Sequence, residues 1–232
     1  MALIELTDNI RTLIDSGNIV FSLFIDFSKA FDTVDHEILL YKLNHYGIRG
    51  HANILFKSYL TNRTQYTFAN GINSSPDKIT CGVPQGSVLG PILFMIYAND
   101  IYRCAQNSMT RLFADDTCLS VHHKQITELI NLAKIQIKNV IKWCQCNKLT
   151  INFDKTYFII FRAKNKHIPQ DINEIEIDGH VIKRVISTKY LGVYVDELLN
   201  WRDHVSYISK SLIKYFGIFN HIKHFVNKKI IT

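Results

Sequence analysis

The chain has 232 residues, of which 47% are hydrophobic and 12% aromatic, with only 4 prolines. That composition excludes a disordered polypeptide and supplies enough apolar surface for a sizeable core. Its 27 lysines and arginines against 20 acidic residues leave a net charge of +7, which favours an anionic partner such as nucleic acid. The 5 cysteines are odd in number, and Cys144 and Cys146 stand one residue apart without a following His. They read as small hydrophobes in a reducing, intracellular setting, with no zinc. The most apolar run, Val88 to Ala98, falls far short of the about 20 residues a bilayer needs. The N-terminus also lacks the basic, apolar, small-residue order of a signal peptide, so no membrane partner is expected.

In chain order, MALIELTDNI looks like the middle of a helix. IVFSLFIDF (19–27) is a near-continuous β-branched and aromatic run, which suits a strand buried on both faces. A helix is expected from Asp35 to a stop at Gly47, and a second over HANILFKSYLTN. A strand pair fits QYTFANG and the segment up to Cys81, and the Gly/Pro-rich turn GVPQGSVLGP then opens a helix at Ser87 that runs through Tyr97. LFA and TCLSV form two short strands, with Asp115 and Asp116 at the hairpin tip. Residues 124–147 carry the most regular helical periodicity. TYFIIF is a strand, EIEIDGHVI a hairpin with an Asp-Gly turn, and KYLGVYVD another strand. The periodicity turns helical again from Trp201, and the chain ends in a basic tail. Strands and helices mix without regular βα alternation, so the class is α+β.

Three carboxylates stand out against this background. Asp26 closes a buried strand, and Asp115 and Asp116 interrupt an apolar run, LFADDTCLSV. A buried carboxylate must be neutralised, salt-bridged or bound to metal. Mg²⁺ is a hard cation that binds through one or two carboxylates plus substrate phosphates, and two such ions about 3.5–4 Å apart support phosphoryl transfer. The same spacing also admits a plainer reading, in which Asp115 and Asp116 form a solvated turn and Asp26 caps a helix. His36, His45, His122 and His123 are read as surface or turn residues.

Five motifs in order distinguish these readings. FIDFSKAFDTVDH, GVPQGSVLGPILF, FADDT, LTINFDKT and KYLGVYVD together resemble the reverse transcriptases, and most closely those of non-LTR (LINE-type) retrotransposons. The resemblance implies a right-hand polymerase palm, an antiparallel sheet backed by helices, with partial fingers and the start of a helical thumb. By this resemblance residues 1–35 are the palm start with a remnant of fingers, 36–82 a fingers-like insertion, 83–200 the palm and 201–232 a truncated thumb.

The implied function is RNA-directed DNA polymerase, joining deoxynucleoside triphosphates to a DNA primer on an RNA template with two Mg²⁺ (or Mn²⁺). The resemblance makes Asp26 and Asp115 the metal-binding carboxylates, with Asp116 in support, and Lys155 a possible general acid beside the leaving pyrophosphate. It assigns the nucleotide to Phe27 (through its carbonyl), Ala30, Phe31 as steric gate, and Gln85 and Gly86 after Pro84. Tyr190, Leu191 and Gly192 fall in its primer grip. Plainer readings stand beside these: Phe31 as a core aromatic, the Pro84–Gly86 stretch as a simple turn, Lys155 as a surface lysine. The resemblance starts late and ends early, which implies truncation at both ends and admits an alternative, a catalytically inactive remnant that at most binds nucleic acid. Group II intron and telomerase-type polymerases share the palm, but the PQGSVLGP context and the Trp201–His204 segment favour the LINE-type.

Overall fold

A computed structural model describes residues 2–169 and 172–222. The chain opens with α1 (Ala2–Asp15) and enters β1 (Ile19–Ile25), which is buried along its whole length. Next come α2 (His36–His45) and α3 (Gly50–Leu60), followed by a two-tier hairpin made of β2 (Arg63–Gln65), β3 (Phe68–Ala69), β4 (Ile72–Asn73) and β5 (Asp77–Ile79). Then follow α4 (Leu89–Ala98), the short α5 (Ile101–Cys104), β6 (Met109–Phe113), β7 (Asp116–His123) and α6 (Ile126–Cys146). The remainder is β8 (Tyr157–Phe161), β9 (Glu174–Ile177), β10 (His180–Arg184), β11 (Ser187–Tyr190), β12 (Val193–Asp196) and α7 (Arg202–Ile222). The basic end of the chain, expected as a tail to the thumb, lies outside the described residues.

Several of these elements begin and end where side-chain chemistry dictates. Asp35 caps α2, its Oδ1 accepting the N–H groups of Glu37 and Ile38 at 3.0 Å each. Gly47 takes a positive φ of 95° just past the end of α2, as a helix terminator should. Ser87 lies one residue before the assigned cap of α4, yet its Oγ accepts the N–H of Gly90 at 2.9 Å. Asn70-Gly71 and Asp178-Gly179 both have positive φ and close two-residue hairpins, because that backbone matches the twist of the flanking strands.

Six strands form the main sheet in the order β6-β7-β1-β8-β10-β9. β1 sits inside it, antiparallel to β7 on one side and β8 on the other. Successive side chains of a strand point to opposite faces, so each face of β1 feeds a separate core. Phe21, Leu23 and Ile25 pack with Leu93 and Phe94 of α4 and with Ala133, Ile137 and Val140 of α6. Val20 and Phe24 face the other way, onto Leu6 and Ile10 of α1 and onto Tyr190 and Val195. Ser22 and Ser120 meet on that second face at 2.7 Å, so the buried hydroxyls satisfy one another.

The strand pairing departs from the sequence expectations in two places. The sheet is not wholly antiparallel, because β8 pairs β10 in parallel. KYLGVYVD is not one strand either: Leu191 (φ 48°) and Gly192 (φ 85°) turn it back on itself, and Tyr190 pairs with Val193. After this hairpin the buried carboxylate of Asp196 accepts the N–H groups of Leu198, Asn200 and Trp201 at 2.9–3.1 Å. That anchors the turn into α7, whose apolar residues, Val205, Ile208, Leu212 and Phe216 among them, are exposed.

Candidate active site

Asp26 follows the last residue of β1. Its N–H donates to Thr156 Oγ1 at 3.2 Å, its carbonyl accepts the N–H of Asn152 at 2.8 Å, and its Oδ2 accepts Asn152 Nδ2 at 3.0 Å. Two backbone groups and the carboxylate are thus fixed by a separate segment, residues 152–156. On the neighbouring strand Ile25 pairs with Thr117. One further step in that register sets Asp26 opposite Asp116, both on the sheet face that carries Ser22 and Ser120. Asp115 and Ala114 form the β6–β7 turn, and Ala114 holds a left-handed φ of 52°, a conformation that costs an L-residue about 1–2 kcal/mol.

Of the three carboxylates, Asp116 carries a resolved effect of the other two. Asp116 is pushed above the usual carboxylate range, first by partial desolvation and then by the charges of Asp115 and Asp26. None of the three is in an ion pair among the described residues. Asp26 and Asp115 line one cleft with Phe27, Lys29, Ala30, Phe31, Gln85, Asn152 and Lys155. Hard oxygen donors left short of positive partners suit a divalent cation. No three His, Cys, Asp or Glu side chains among the described residues converge tightly enough to hold a metal ion by themselves. A cation here would therefore draw the rest of its ligands from backbone, water or substrate, as Mg²⁺ commonly does.

The segment after Asp26 is stitched to the GVPQG turn. Val83 N–H donates to the Phe31 carbonyl and Gly82 N–H to the Val34 carbonyl, each at 2.7 Å, and Gln85 Nε2 donates to Asp32 Oδ1 at 2.7 Å. Gly82 is required at this crossing, because a Cβ there would lie 2.8 Å from the Asp32 carbonyl oxygen. His36, expected at the surface or in a turn, is instead buried, its Nε2 at 2.7 Å from the Gly82 carbonyl. It ties the start of α2 to the same turn.

Phe31 is half-buried, its ring 5.2 Å from that of the fully buried Phe94. Phe27 and Ala30 are buried, and Lys155 is exposed. Gly86 turns the chain with φ 78° but is not among the residues lining the cleft. The side chain of Tyr190 is a core group, 4% exposed with its ring 5.1 Å from Phe24, while Leu191 is half-buried and Gly192 exposed at the hairpin tip. Asn152 and Thr156, to which the sequence reading gives no role, hold Asp26 in place. The signal was available in LTINFDKT, a motif that places an amide three positions before Lys155.

The pattern described as Reverse transcriptase (RNA-dependent DNA polymerase) matches residues 6–195, most of the chain. The chain belongs to the reverse transcriptase family. Its relatives are non-LTR mobile elements, in agreement with the motif resemblance. It is 31% identical over 199 residues to the RNA-directed DNA polymerase from mobile element jockey of Drosophila funebris, which covers 82% of this chain and 21% of that protein. It is 28% identical over 195 residues to the jockey polymerase of Drosophila melanogaster, with 81% and 21% covered. With the Pol polyprotein of type-1 retrotransposable element R2 from Popillia japonica it shares 28% over 185 residues, covering 73% and 30%. This reverse transcriptase chain therefore spans about a fifth of the length of the first relatives it matches. Its fold is also that of telomerase. A Candida albicans telomerase in complex with a fragment of telomeric RNA superposes with TM-score 0.57 at 15% identity, covering 85% of this chain and 34% of that one. Apo telomerase of Candida tropicalis gives 0.53 at 12%, covering 85% and 35%. The family works on nucleic acid with divalent metal ions, and the oxygen donors of the cleft fit such an ion. Among the described residues no helix is long and apolar enough to cross a membrane.

Proposed function

We propose that this domain extends a DNA primer on an RNA template, joining deoxynucleoside triphosphates to the primer 3′-OH. One observation carries the reading: Asp26 and Asp115, from separated parts of the chain, line one cleft with Phe31, Gln85 and Lys155. Two Mg²⁺ (or Mn²⁺) bound there would activate the attacking hydroxyl and stabilise the departing oxygen. Asp26 and Asp115 would hold them with the Phe27 carbonyl, and Asp116 would support the pair.

The chain's own groups do the remaining work in this reading. Lys155, on the cleft wall, neutralises charge on the leaving pyrophosphate and can give it a proton. Phe31, backed by Phe94 and neighboured by Ala30, closes the space a 2′-OH would need. Gln85 is oriented by Asp32 and, with Gly86, packs on the nascent base pair. Leu191 and Gly192, positioned by the buried Tyr190, contact the primer end. In this scheme residues 1–35 are the palm start with a remnant of fingers, 36–82 a fingers-like insertion, 83–200 the palm, and α7 the start of a thumb.

The test is Mg²⁺-dependent primer extension on an RNA template by the parental chain and by Asp115→Asn. Extension should vanish in the variant while its thermal unfolding stays unchanged, because Asp115 is exposed and is in no ion pair among the described residues. Extension at the parental rate would overturn the mechanism. Duplex binding without incorporation by the parental chain would leave nucleic-acid binding as the domain's role.

A further inference from the structure

Residues 152–156 hold Asp26 through Asn152 and Thr156 and bring Lys155 to the cleft wall. Asp154 and Lys155 are exposed, and a hydrogen bond inside the segment, from Lys155 N–H to the Asn152 carbonyl, is long at 3.2 Å. Phe153 is the segment's one large apolar side chain. It is half-buried and packs against the main core, the one that α6 lines. How firmly Asn152 and Lys155 are placed therefore depends on how firmly the Phe153 ring is held.

One face of that ring is covered by His180. The two rings lie within 5° of parallel, with centroids 3.9 Å apart. His180 opens β10, directly after the Asp178-Gly179 turn. The parallel register of β10 on β8, Lys183 with Tyr157, continued three steps back, sets His180 level with Asp154. Its hairpin is a firm base, because Ile175, Ile177 and Ile182 are buried in the main core. His180 itself is exposed and is in no ion pair among the described residues. What its side chain does on the page is cap Phe153, and aromatic pairs attract beyond the area they bury.

We infer that His180 is a positioning residue for the cleft: by clamping Phe153 it holds residues 152–156 where Asn152 grips Asp26 and Lys155 stands on the wall. It acts through Phe153 and touches neither substrate nor metal. The consequence for synthesis rests on the polymerase reading, whereas the clamp itself is measurable without any synthesis.

Two variants of the full chain test it: His180→Ala, which removes the ring, and His180→Phe, which keeps a flat ring and removes the nitrogens. Native-state hydrogen exchange is followed at the Asn152 amide, which donates to the Asp26 carbonyl, and at the Lys155 amide. In His180→Ala both should exchange faster by about two- to tenfold, the factor to which the loss of an aromatic pair converts. Amides of α2, which open without breaking the stack, should keep the parental rate, and His180→Phe should restore slow exchange at Asn152. In primer extension the Mg²⁺ concentration for half-maximal rate should rise in His180→Ala by about the same two- to tenfold and return towards parental in His180→Phe. An unmoved Asn152 amide in His180→Ala would overturn the inference. So would a rise shared equally by α2, which marks general loosening, or a His180→Phe chain no better than His180→Ala. A parental Mg²⁺ midpoint in an active His180→Ala chain would overturn it too. The exchange measurements need no primer extension, so a chain that extends nothing refutes the polymerase reading and leaves the clamp to be judged by itself.

Discussion

Asn152 grips Asp26 twice, its amide Nδ2 on the carboxylate at 3.0 Å and its backbone N–H on the carbonyl at 2.8 Å. One oxygen of the carboxylate is therefore held by a neutral donor, and under the proposed function the other would take a cation. Groups that orient metal ligands in this way typically carry about 10–100-fold of metal affinity or activity. Asn152→Ala should raise the Mg²⁺ concentration for half-maximal extension by about that factor, with activity partly recovered at high Mg²⁺. A Mg²⁺ titration of primer extension checks this. An unchanged midpoint with only a lower rate would mean that Asn152 does not act through Asp26.

Phe31 makes a different prediction, because its ring has support from behind. Phe94 is fully buried and its ring lies 5.2 Å from that of Phe31, so a gate at Phe31, as proposed, could not recede without disturbing the core. Phe31→Ala should open that space and raise incorporation of ribonucleotides relative to deoxynucleotides by at least about tenfold, as expected when a pocket loses more than one methylene's worth of contact. Phe94→Leu should loosen discrimination less. Competing single-nucleotide extensions measure both ratios, and an unaltered ratio in Phe31→Ala would exclude the gate.

Much of this was legible because local chemistry and tertiary role agree. Asp35 and Gly47 bracket α2, Asn70-Gly71 and Asp178-Gly179 close hairpins, and the near-continuous apolar run of β1 is the strand buried on both faces. What was not legible depends on partners distant in sequence. Nothing near His36 indicates that it will be buried against the Gly82 carbonyl, and a parallel β8–β10 pair leaves no mark in either strand. Leu191 at φ 48° is a conformation its side chain does not favour, so KYLGVYVD reads as one strand. For the cleft, the carboxylate residues declared themselves as misplaced charges. The roles of Phe31, Gln85 and Lys155 came from family resemblance, since in isolation each is an ordinary core aromatic, turn amide or surface lysine.

The Gly82 crossing allows a controlled comparison with Gly86. Both have positive φ, 88° and 78°, but a Cβ on Gly82 would meet the backbone of Asp32 at 2.8–3.0 Å, and one on Gly86 meets nothing within 4 Å. Gly86→Ala should cost only the left-handed penalty, about 1–2 kcal/mol. Gly82→Ala adds a clash with backbone that cannot rotate away, so its loss should exceed that of Gly86→Ala by roughly 1 kcal/mol or more. It should also reduce extension, by displacing the turn that carries Gln85. Urea midpoints of the two variants decide the matter, and equal losses would show that the crossing yields easily.

Lys42 is buried behind this region with an ammonium that needs every partner it has. Its Nζ donates to the Tyr97 carbonyl at 2.5 Å and to Asp100 Oδ1 at 2.7 Å, and lies 4.9 and 5.0 Å from the ring centroids of Tyr97 and Trp143. Desolvation nevertheless holds its pKa below the ordinary 10.5, although Asp100 raises it. A lysine depressed in this way binds its proton less tightly folded than unfolded. Its burial penalty is therefore present in full at low pH and lifts as pH rises through the folded pKa towards 10.5. Removing the counter-charge should leave an uncompensated buried cation, so Asp100→Ala should destabilise by about 3–5 kcal/mol at pH 7. The deficit relative to the parent should shrink at pH 10. Replacing both partners, Lys42→Met with Asp100→Leu, should bring stability close to parental, because matched apolar groups need no desolvation. Denaturant unfolding of the single and double variants at the two pH values separates these outcomes. A pH-independent deficit in Asp100→Ala would mean that the loss comes from packing and the Trp143 hydrogen bond, not from the stranded charge.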